Sequence, residues 1–257
     1  VNVMDKMVYI AMSGAKQSLR GLELKANNLA NANTTGFKAD FAQARSMQAF
    51  GEGLPSRVFA MQERPGSNME SGGFVETGRE LDIAMSDRGW LSVQDASGNE
   101  AYTKTGTLNI TPDGALITSH GRQVIGEGGP IILPLPIEKV EFSEDGAIQV
   151  RPQGAPANFL EVVDRLKVIE ADNTQLEKGN DGLFRPKEDM LINDLCGFCD
   201  ISPNVKVLSG TLEMSNVNPV HEMVDMISNQ RQFELQVKLM KTAEELDERQ
   251  DQLLRIV

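Results

Sequence analysis

The sequence predicts an α+β protein in which a mostly antiparallel β domain lies between long N- and C-terminal helices. Three observations lead to this prediction. Apolar residues near the N-terminus recur at helical spacing, and no glycine or proline follows Pro219. Between these regions, short runs of alternating apolar and polar residues are joined by Asp, Asn and Gly turns. We expect the two helices to pair as a coiled-coil-like unit.

The first helix is predicted from a stripe of apolar residues that begins at Val8. The intervals along the stripe alternate between four and three residues, which is typical of a coiled-coil seam and requires a partner helix. The helix then carries asparagines near its end, and we expect Gly36 to terminate it in the left-handed conformation with Phe37 packing back against it. The stripe is Val8, Met12, Ala15, Leu19, Leu22, Ala26 and Leu29, and the asparagines are Asn27, Asn28, Asn31 and Asn33.

The last helix is predicted to begin with Asn218 as its N-cap and Pro219 in its first turn. Its methionines could form an adaptable binding groove, but methionine at helical spacing more often belongs to a packed seam, which we favour. Its stripe is Met223, Met226, Gln230, Phe233, Val237 and Met240, after which the register shifts to Ala243, Leu246, Leu253 and Val257.

The middle of the chain changes character twice. Residues 46–73 are rich in glycine and have no sustained period, which indicates an irregular connector. From Leu81 onward, "WLSV-QDASGN-EAYTKTG", "TLNI-TPDG-ALIT" and "VEFS-EDG-AIQV" predict hairpins of a small barrel or sandwich, and "EVVDRLKVIEAD" is a further strand candidate. We expect an N-terminal helix in 1–36, an irregular or hairpin connector in 37–80, a β domain in 81–205 and a C-terminal helix with its lead-in in 206–257.

Composition and charge exclude several classes of function. The 257 residues are 40% hydrophobic and 24% charged, as in ordinary globular proteins. The net charge of −12 opposes binding to nucleic acid or anionic lipid. The longest apolar run, Ile131 to Ile137, is far shorter than the roughly 20 residues that span a bilayer. No cleavable leader is recognisable at the N-terminus, so we expect a cytosolic protein or one exported without a cleaved signal peptide.

Candidate chemical sites are few. Cys196 and Cys199 have redox-pair spacing but are followed by loop residues, so an incidental disulfide or free thiols are favoured over a redox or metal role. His120 and His221 are the only histidines, and carboxylate pairs such as Asp82 and Asp87 are expected to be structural. The sequence predicts no catalytic, cofactor-binding or metal-binding residues and therefore no enzyme.

Five segments together resemble the bacterial flagellar basal-body rod and hook family. They are "NNLANANTTGFKAD", "GRELDIAMSDRGWLSV", "YTKTGTLNITPDGALITSHGRQVIG", "NTQLEKGNDGLFRP" and "GTLEMSNVNPVHEMVDMISNQRQFELQVKLMKTAEEL", in the order that the family has. The opening "MDKMVYIAMSGAKQSL" is most similar to the proximal-rod member. Trp90 and Leu91 stand where the family usually has two phenylalanines, and the loop with the two cysteines has no counterpart in it.

The resemblance implies a non-enzymatic subunit of the proximal rod, the hollow drive shaft that transmits torque from motor to hook across the periplasm. It further implies export by the flagellar type III apparatus without a cleaved signal, self-assembly with terminal helices inside and the β domain outside, and partners among other rod proteins, the export apparatus and surrounding ring proteins. Distal-rod or hook identity is the nearer alternative. A secreted β-rich adhesin is the alternative from another class.

Within this interpretation we expect an assembly seam between the helices of neighbouring subunits. Amides buried in that seam would fix its register, since an unmatched buried amide costs stability. The alternative is that the asparagines are exposed capping residues. The predicted seam comprises Met12, Leu19, Leu22, Asn27, Asn28, Leu29, Asn31, Met223, Met226, Phe233, Val237 and Met240.

Overall fold

The chain forms two compact units, one helical and one built of β-strands. The computed structural model describes residues 3–42, 44–48, 58–62, 66–86, 88–156, 159–172, 174–187 and 201–254. The helical unit comprises Val1–Ala32, Asp40–Gly66 and Val217–Val257, and the β unit comprises Asn33–Ala39 and Ser67–Asn216. The protein is therefore α+β, as the sequence predicts.

Two long helices dominate the helical unit. Helix α1 spans Val3–Ala30 and helix α2 spans Pro219–Leu254. Asn218 caps α2 as predicted, because its side-chain Oδ1 accepts hydrogen bonds from the backbone N–H groups of Val220 (3.1 Å) and His221 (3.3 Å). The strands of this unit are short: β1 is Asp40–Phe41, β2 is Ala44–Gln48 and β3 is Val58–Gln62.

The end of α1 differs from the prediction. The helix stops at Ala30, six residues before Gly36, and a turn over Asn31, Ala32 and Asn33 follows it. Gly36 does adopt the left-handed conformation, with φ of 70°, but it belongs to the β unit and does not terminate the helix. The asparagines, which are poor helix formers and good turn formers, end the helix earlier than glycine would.

The connector that the sequence predicts as irregular or hairpin-like contains an antiparallel strand pair. Ala44 of β2 lies opposite Gln62 of β3, and Gln48 lies opposite Val58. Strand β4, Gly66–Ser67, follows. The segment 49–57 between β2 and β3 lies outside the described residues.

The β unit consists of short strands, and every pairing assigned within it is antiparallel. Its largest sheet has the order β16-β7-β8-β18-β17, and a second has the order β13-β14-β15. The strands are β5 Phe74–Glu76, β6 Ile83–Met85, β7 Gly89–Gln94, β8 Glu100–Thr103, β9 Leu108–Ile110, β10 Leu116–Thr118, β11 Ile125–Gly126, β12 Gly129–Pro130, β13 Ile137–Phe142, β14 Ala147–Pro152, β15 Glu161–Arg165, β16 Val168–Glu170, β17 Leu176–Lys178, β18 Phe184–Pro186, β19 Val207–Ser209 and β20 Thr211–Glu213.

The three predicted hairpins are confirmed as β7–β8, β9–β10 and β13–β14. The single strand candidate "EVVDRLKVIEAD" instead forms two strands, β15 and β16, which pair with β14 and β7 in different sheets. Leu166, between them, is buried and forms an isolated bridge with Gly126. The chain therefore changes sheets at a buried residue, which the local alternation of polar and apolar residues over 165–168 conceals.

Two clusters of buried apolar side chains stabilise the β unit. The larger one draws Ile83, Leu91, Leu116 and Ile148, among others, from several of the small sheets. The smaller one is Met69, Trp90, Tyr102, Ile169, Ala171, Leu176 and Phe184. In it the rings of Trp90 and Phe184 pack with centroids 4.5 Å apart at 51°, a tilted geometry that aromatic pairs favour.

Candidate assembly surface

Helices α1 and α2 contact each other along the helical unit and run antiparallel. Lys25 of α1 pairs with Asp225 near the start of α2, Gly21 faces Asn229, and Gly14 faces Gln236. The two glycines are seven residues apart, and so are the two amide side chains that cover them. Because a Cβ at position 14 would lie 2.2 Å from Gln236 Oε1, the amide occupies the space that the missing side chain leaves.

The buried face of α1 is displaced from the predicted stripe. Ala11, Ala15 and Ser18 are buried, whereas Met12 and Leu19 of the predicted stripe are 51% and 46% exposed. Small residues allow the helices to approach closely, so the contact is made by side chains that carry little hydrophobic signal. Of the three buried residues, only Ala15 belongs to the predicted stripe, and Ala11 and Ser18 were not predicted.

The other predicted apolar seam residues divide between two environments. Met223 is exposed, and the rest are half-buried: Leu22, Leu29, Met226, Phe233, Val237 and Met240. Ala243, at the shifted part of the α2 stripe, is buried.

Both helices also expose large apolar side chains away from their mutual contact. On α2, Val224, Leu235 and Leu246 are spaced 11 residues apart, close to three helical turns, and therefore lie on nearly the same side. The half-buried Phe233 and Met240 lie on the other side of α2. A helix that is apolar on opposite sides is normally buried all round. The exposed set is Tyr9, Met12 and Leu19 on α1, and Val220, Met223, Val224, Ile227, Leu235, Leu239 and Leu246 on α2.

A charged cluster joins the C-terminal part of α1 to the first turns of α2. Lys25 Nζ lies 2.9 Å from Asp225 Oδ2 and 3.2 Å from Glu222 Oε2. Burial opposes the charged form of Lys25, but hydrogen bonds to Asp225 and Glu222 outweigh it and raise the pKa of Lys25. The hydrogen bond from Lys25 lowers the pKa of Asp225.

These pKa directions predict how Lys25→Met alters stability with pH. Because the pKa of Asp225 is lowered by folding, its contribution is present above the unfolded pKa of about 3.9 and is lost as the pH falls through the folded value. The Lys25 contribution is lost only as the pH rises through its raised pKa. We expect Lys25→Met to reduce unfolding free energy by about 1 kcal/mol at pH 7.

At about pH 2 that difference should be smaller, because the contribution of Asp225 is lost as the pH falls through its lowered pKa. Urea unfolding followed by far-UV circular dichroism at both pH values measures it, with exposed Lys16→Met as the matched control. An equal loss at both pH values would show that the lysine stem contributes by packing and that the charges contribute little.

The asparagines at the end of α1 have different roles. Asn28 is 1% exposed, and its side chain donates to the backbone oxygen of Asp40 (2.8 Å) and accepts from the Asp40 N–H (2.9 Å). Asn31 donates to the backbone oxygen of Asn27, while Asn27 and Asn33 are exposed. The Asn28 amide therefore finds both a donor and an acceptor within its own chain. The seam prediction instead requires it to pair with an amide of a neighbouring subunit.

The residues after α1 are held within the β unit. Gly36 donates its N–H to the backbone oxygen of Glu213 at 2.8 Å, and a Cβ at position 36 would lie 2.4 Å from the backbone carbon of Lys104. Lys178 Nζ lies 4.0 Å from the centroid of the Phe37 ring, a cation–π distance. Phe37 therefore has a partner in β17, and its packing against the helix stays a prediction.

The candidate chemical residues have structural surroundings. Asp82 is buried, accepts a hydrogen bond from Thr77 Oγ1 at 2.8 Å and lies 3.5 Å from Arg79 Nη1. His120 contacts Ser119 in an exposed turn. Asp87, Cys196 and Cys199 lie outside the described residues. Among the residues that are described, no group of His, Cys, Asp and Glu side chains is arranged to hold a metal ion, and neither helix is apolar enough to cross a membrane.

Three family profiles match separate parts of the chain. The profile of the flagella basal body rod protein matches residues 8–38, which include most of α1 and the segment after it. The D1 domain of the flagellar hook protein FlgE/F/G matches residues 84–150 in the β unit. The C-terminal profile of the flagellar basal body rod FlgEFG protein matches residues 208–253.

Whole-chain relatives agree with the profiles. The chain is 39% identical to the flagellar basal-body rod protein FlgF of Salmonella typhimurium, over 98% of this chain and 99% of the relative. The chain belongs to the flagellar basal-body rod protein family. The FlgF protein of Escherichia coli shows the same identity and coverage. A FlgG protein of Agrobacterium fabrum is 29% identical over 92% of this chain and 95% of its own length.

Family membership settles the class of function. The chain resembles FlgF proteins throughout its length, as the similarity of its opening to the proximal-rod member predicts. Proteins of this family are structural, so the chain is a structural rod protein and not an enzyme. The adhesin alternative is not favoured.

Proposed function

We propose that this chain builds the proximal part of the basal-body rod by packing its two helices against those of neighbouring subunits. The observation that carries the proposal is the set of large apolar side chains exposed on both helices, exemplified by Leu235, which is 62% exposed. Exposed apolar patches of this kind mark protein–protein contacts. Because they occur on both α1 and α2, each subunit can offer and accept such a contact, as a polymer requires.

The helices of one subunit would pair as a coiled-coil-like unit. The seven-residue repeat of Gly14 and Gly21 against Gln236 and Asn229 supports this pairing, since seven residues correspond to two turns of a supercoiled helix. Residues 1–36 and 206–257 would then supply the rod core, and residues 81–205 the outer domain. Residues 37–80 would connect the two.

The proposed seam combines predicted and newly identified residues. Met12, Leu19 and Met223 keep their predicted role because they are exposed and apolar. Leu235 and Val224 join them. Half-buried residues such as Leu29 and Phe233 would stabilise the contact between the two helices of one subunit. They would become fully buried when the rod assembles.

In this role the subunit would transmit torque from motor to hook across the periplasm. A torque-bearing polymer needs contacts that do not slip, and large side chains locked between helices resist sliding. Copies of the chain and other rod proteins are the proposed partners in the rod, with the export apparatus before assembly and ring proteins around the finished rod. Export without a cleaved signal peptide belongs to the same proposal.

The proposal is tested by deleting the gene for this subunit in a flagellated bacterium that carries it and then supplying the gene again. Its deletion should abolish swimming in soft agar, and the wild-type chain should restore both swimming and its own presence in purified basal bodies. A deletion strain that swims normally, or a chain that restores swimming without entering basal bodies, would contradict the proposed role.

A further inference from the structure

Lys38, Lys104 and Glu213 form a buried charged cluster inside the β unit. Lys38 Nζ lies 2.6 Å from Glu213 Oε1, and Lys104 Nζ lies 3.5 Å from Glu213 Oε2. Each of the three side chains is at most 1% exposed. We call these three residues the clasp. One carboxylate thus faces two ammonium groups in a site that is closed to water.

The clasp also binds backbone groups of segments that are distant in sequence. Lys38 Nζ donates to the Glu70 oxygen at 2.8 Å, and Lys104 Nζ donates to the Ser86 oxygen at 3.3 Å. Glu213 Oε1 accepts from the Gly72 N–H at 3.2 Å. Gly72 has no side chain, and a Cβ there would lie 2.0 Å from the Met214 oxygen, so the backbone passes this site closely. The charges therefore fix backbone positions as well as one another.

Three buried charges are not expected to raise the stability of the β unit by themselves. Removing ions from water costs several kcal/mol per ion, and well-packed apolar residues in their place are often neutral or stabilising. Buried charged groups can instead make the folded conformation more specific, because only one arrangement of the chain pairs all of them. The clasp therefore points to a positioning role.

The clasp lies where the chain leads out of α1 and into α2. Lys38 follows the turn that ends α1, and Glu213 precedes Asn218, the cap of α2. Between them, Asn216 Oδ1 accepts from the Ala39 N–H at 2.8 Å, and Asn216 Nδ2 donates to the Asn68 and Glu70 oxygens at 2.8 and 2.9 Å. Apart from Asn218, all of these residues belong to the β unit.

We propose that the clasp is a positioning device that fixes the segments flanking both helices to each other within the β unit. Through residues 36–39 and 213–216 it sets the points from which α1 and α2 leave. Its effect on assembly rests on the proposed rod function, whereas its effect on these segments does not.

The first test is hydrogen exchange of the full-length chain carrying Glu213→Gln. The amide leaves two buried lysines without a carboxylate, so exchange of the Gly36, Ala39 and Gly72 N–H groups should accelerate about tenfold or more through local opening. The N–H groups of Leu116 and Val124, which bond to backbone oxygens in the larger core, should keep their wild-type rates. Exposed Glu76→Gln, on the strand paired with β20, is the matched control and should change neither set.

A second variant keeps the test decisive if Glu213→Gln does not fold. The triple change Lys38→Met, Lys104→Met and Glu213→Leu removes all three charges of the clasp and should fold with normal protection at Leu116 and Val124. It provides no acceptor for the Gly72 N–H, so Gly72 and Ala39 should still exchange faster. Normal protection at Gly72 and Ala39, or equal acceleration in the larger core, would overturn the positioning role.

The effect on assembly is measured separately by introducing the triple variant into the deletion strain. We expect it to be exported but to restore less than a tenth of wild-type swimming. Wild-type swimming by the triple variant would show that assembly does not need the clasp. Failure of the wild-type chain to restore swimming would instead contradict the rod function and leave the exchange result intact.

Discussion

Leu235→Asp is expected to abolish swimming while leaving the isolated chain as stable as the wild type. The Leu235 side chain is 62% exposed in the single chain, so a carboxylate there meets water and changes unfolding free energy by no more than about 0.5 kcal/mol. In the assembled rod the same carboxylate would enter a dry helix interface without a partner, at a cost of several kcal/mol for every contact along the polymer.

The experiment compares urea unfolding of the purified chain with swimming of the complemented deletion strain. Leu235→Met preserves apolar volume and should swim normally. Val162→Asp places a carboxylate at an equally exposed apolar position of the β unit and should also swim. Normal swimming with Leu235→Asp would show that this side of α2 faces solvent in the rod, and a destabilised monomer would show that Leu235 already packs within its own chain.

Asn28→Ala and Asn27→Ala are expected to differ sharply although the two residues are adjacent. Removing the Asn28 amide deletes its hydrogen bonds to the N–H and the C=O of Asp40, and each deleted bond costs about 1–3 kcal/mol if the backbone group stays dry. Alanine has a higher helix propensity than asparagine, which offsets about 0.5 kcal/mol of this loss. If both groups stay dry, the net loss should therefore be about 1.5–5.5 kcal/mol of unfolding free energy.

The Asn27 side chain is exposed, so Asn27→Ala should change stability by no more than about 0.5 kcal/mol. Urea unfolding of the two variants measures the difference directly. Similar values for both would mean that water replaces the Asn28 side chain at Asp40, and the asparagines would then be equivalent turn formers.

Local patterns in the sequence predicted the fold class, because hairpins and helix caps depend on neighbouring residues. The turn in "TPDG" between β9 and β10 and the cap at Asn218 are examples, and both lie where predicted. The strand candidate that divides into β15 and β16 was missed because alternation continues through Leu166, and only tertiary packing shows that the chain bends there.

The candidate surface was predicted less completely. A hydropathy stripe gives weight to Met12 and Leu19, yet the buried residues of this part of α1 are Ala11, Ala15 and Ser18, which carry little apolar signal. Only Ala15 of these three belongs to the predicted stripe. Lys38 and Glu213 lie 175 residues apart, and no sequence pattern predicts that a lysine and a glutamate will meet in a dry interior. The only sequence feature that draws attention to either residue is that both belong to segments that resemble the family.

The hydrogen bonds of Asn216 have a consequence for how such chains can change in length. They hold Ala39, where the β unit's first segment ends, beside Asn68, the second residue of its next segment. A domain whose chain enters and leaves at one place accepts insertions and deletions elsewhere without moving its attachment points. Exposed turns such as residues 127–128 between β11 and β12 are thus free to lengthen or shorten, and β units of different size can be carried by helices of constant length.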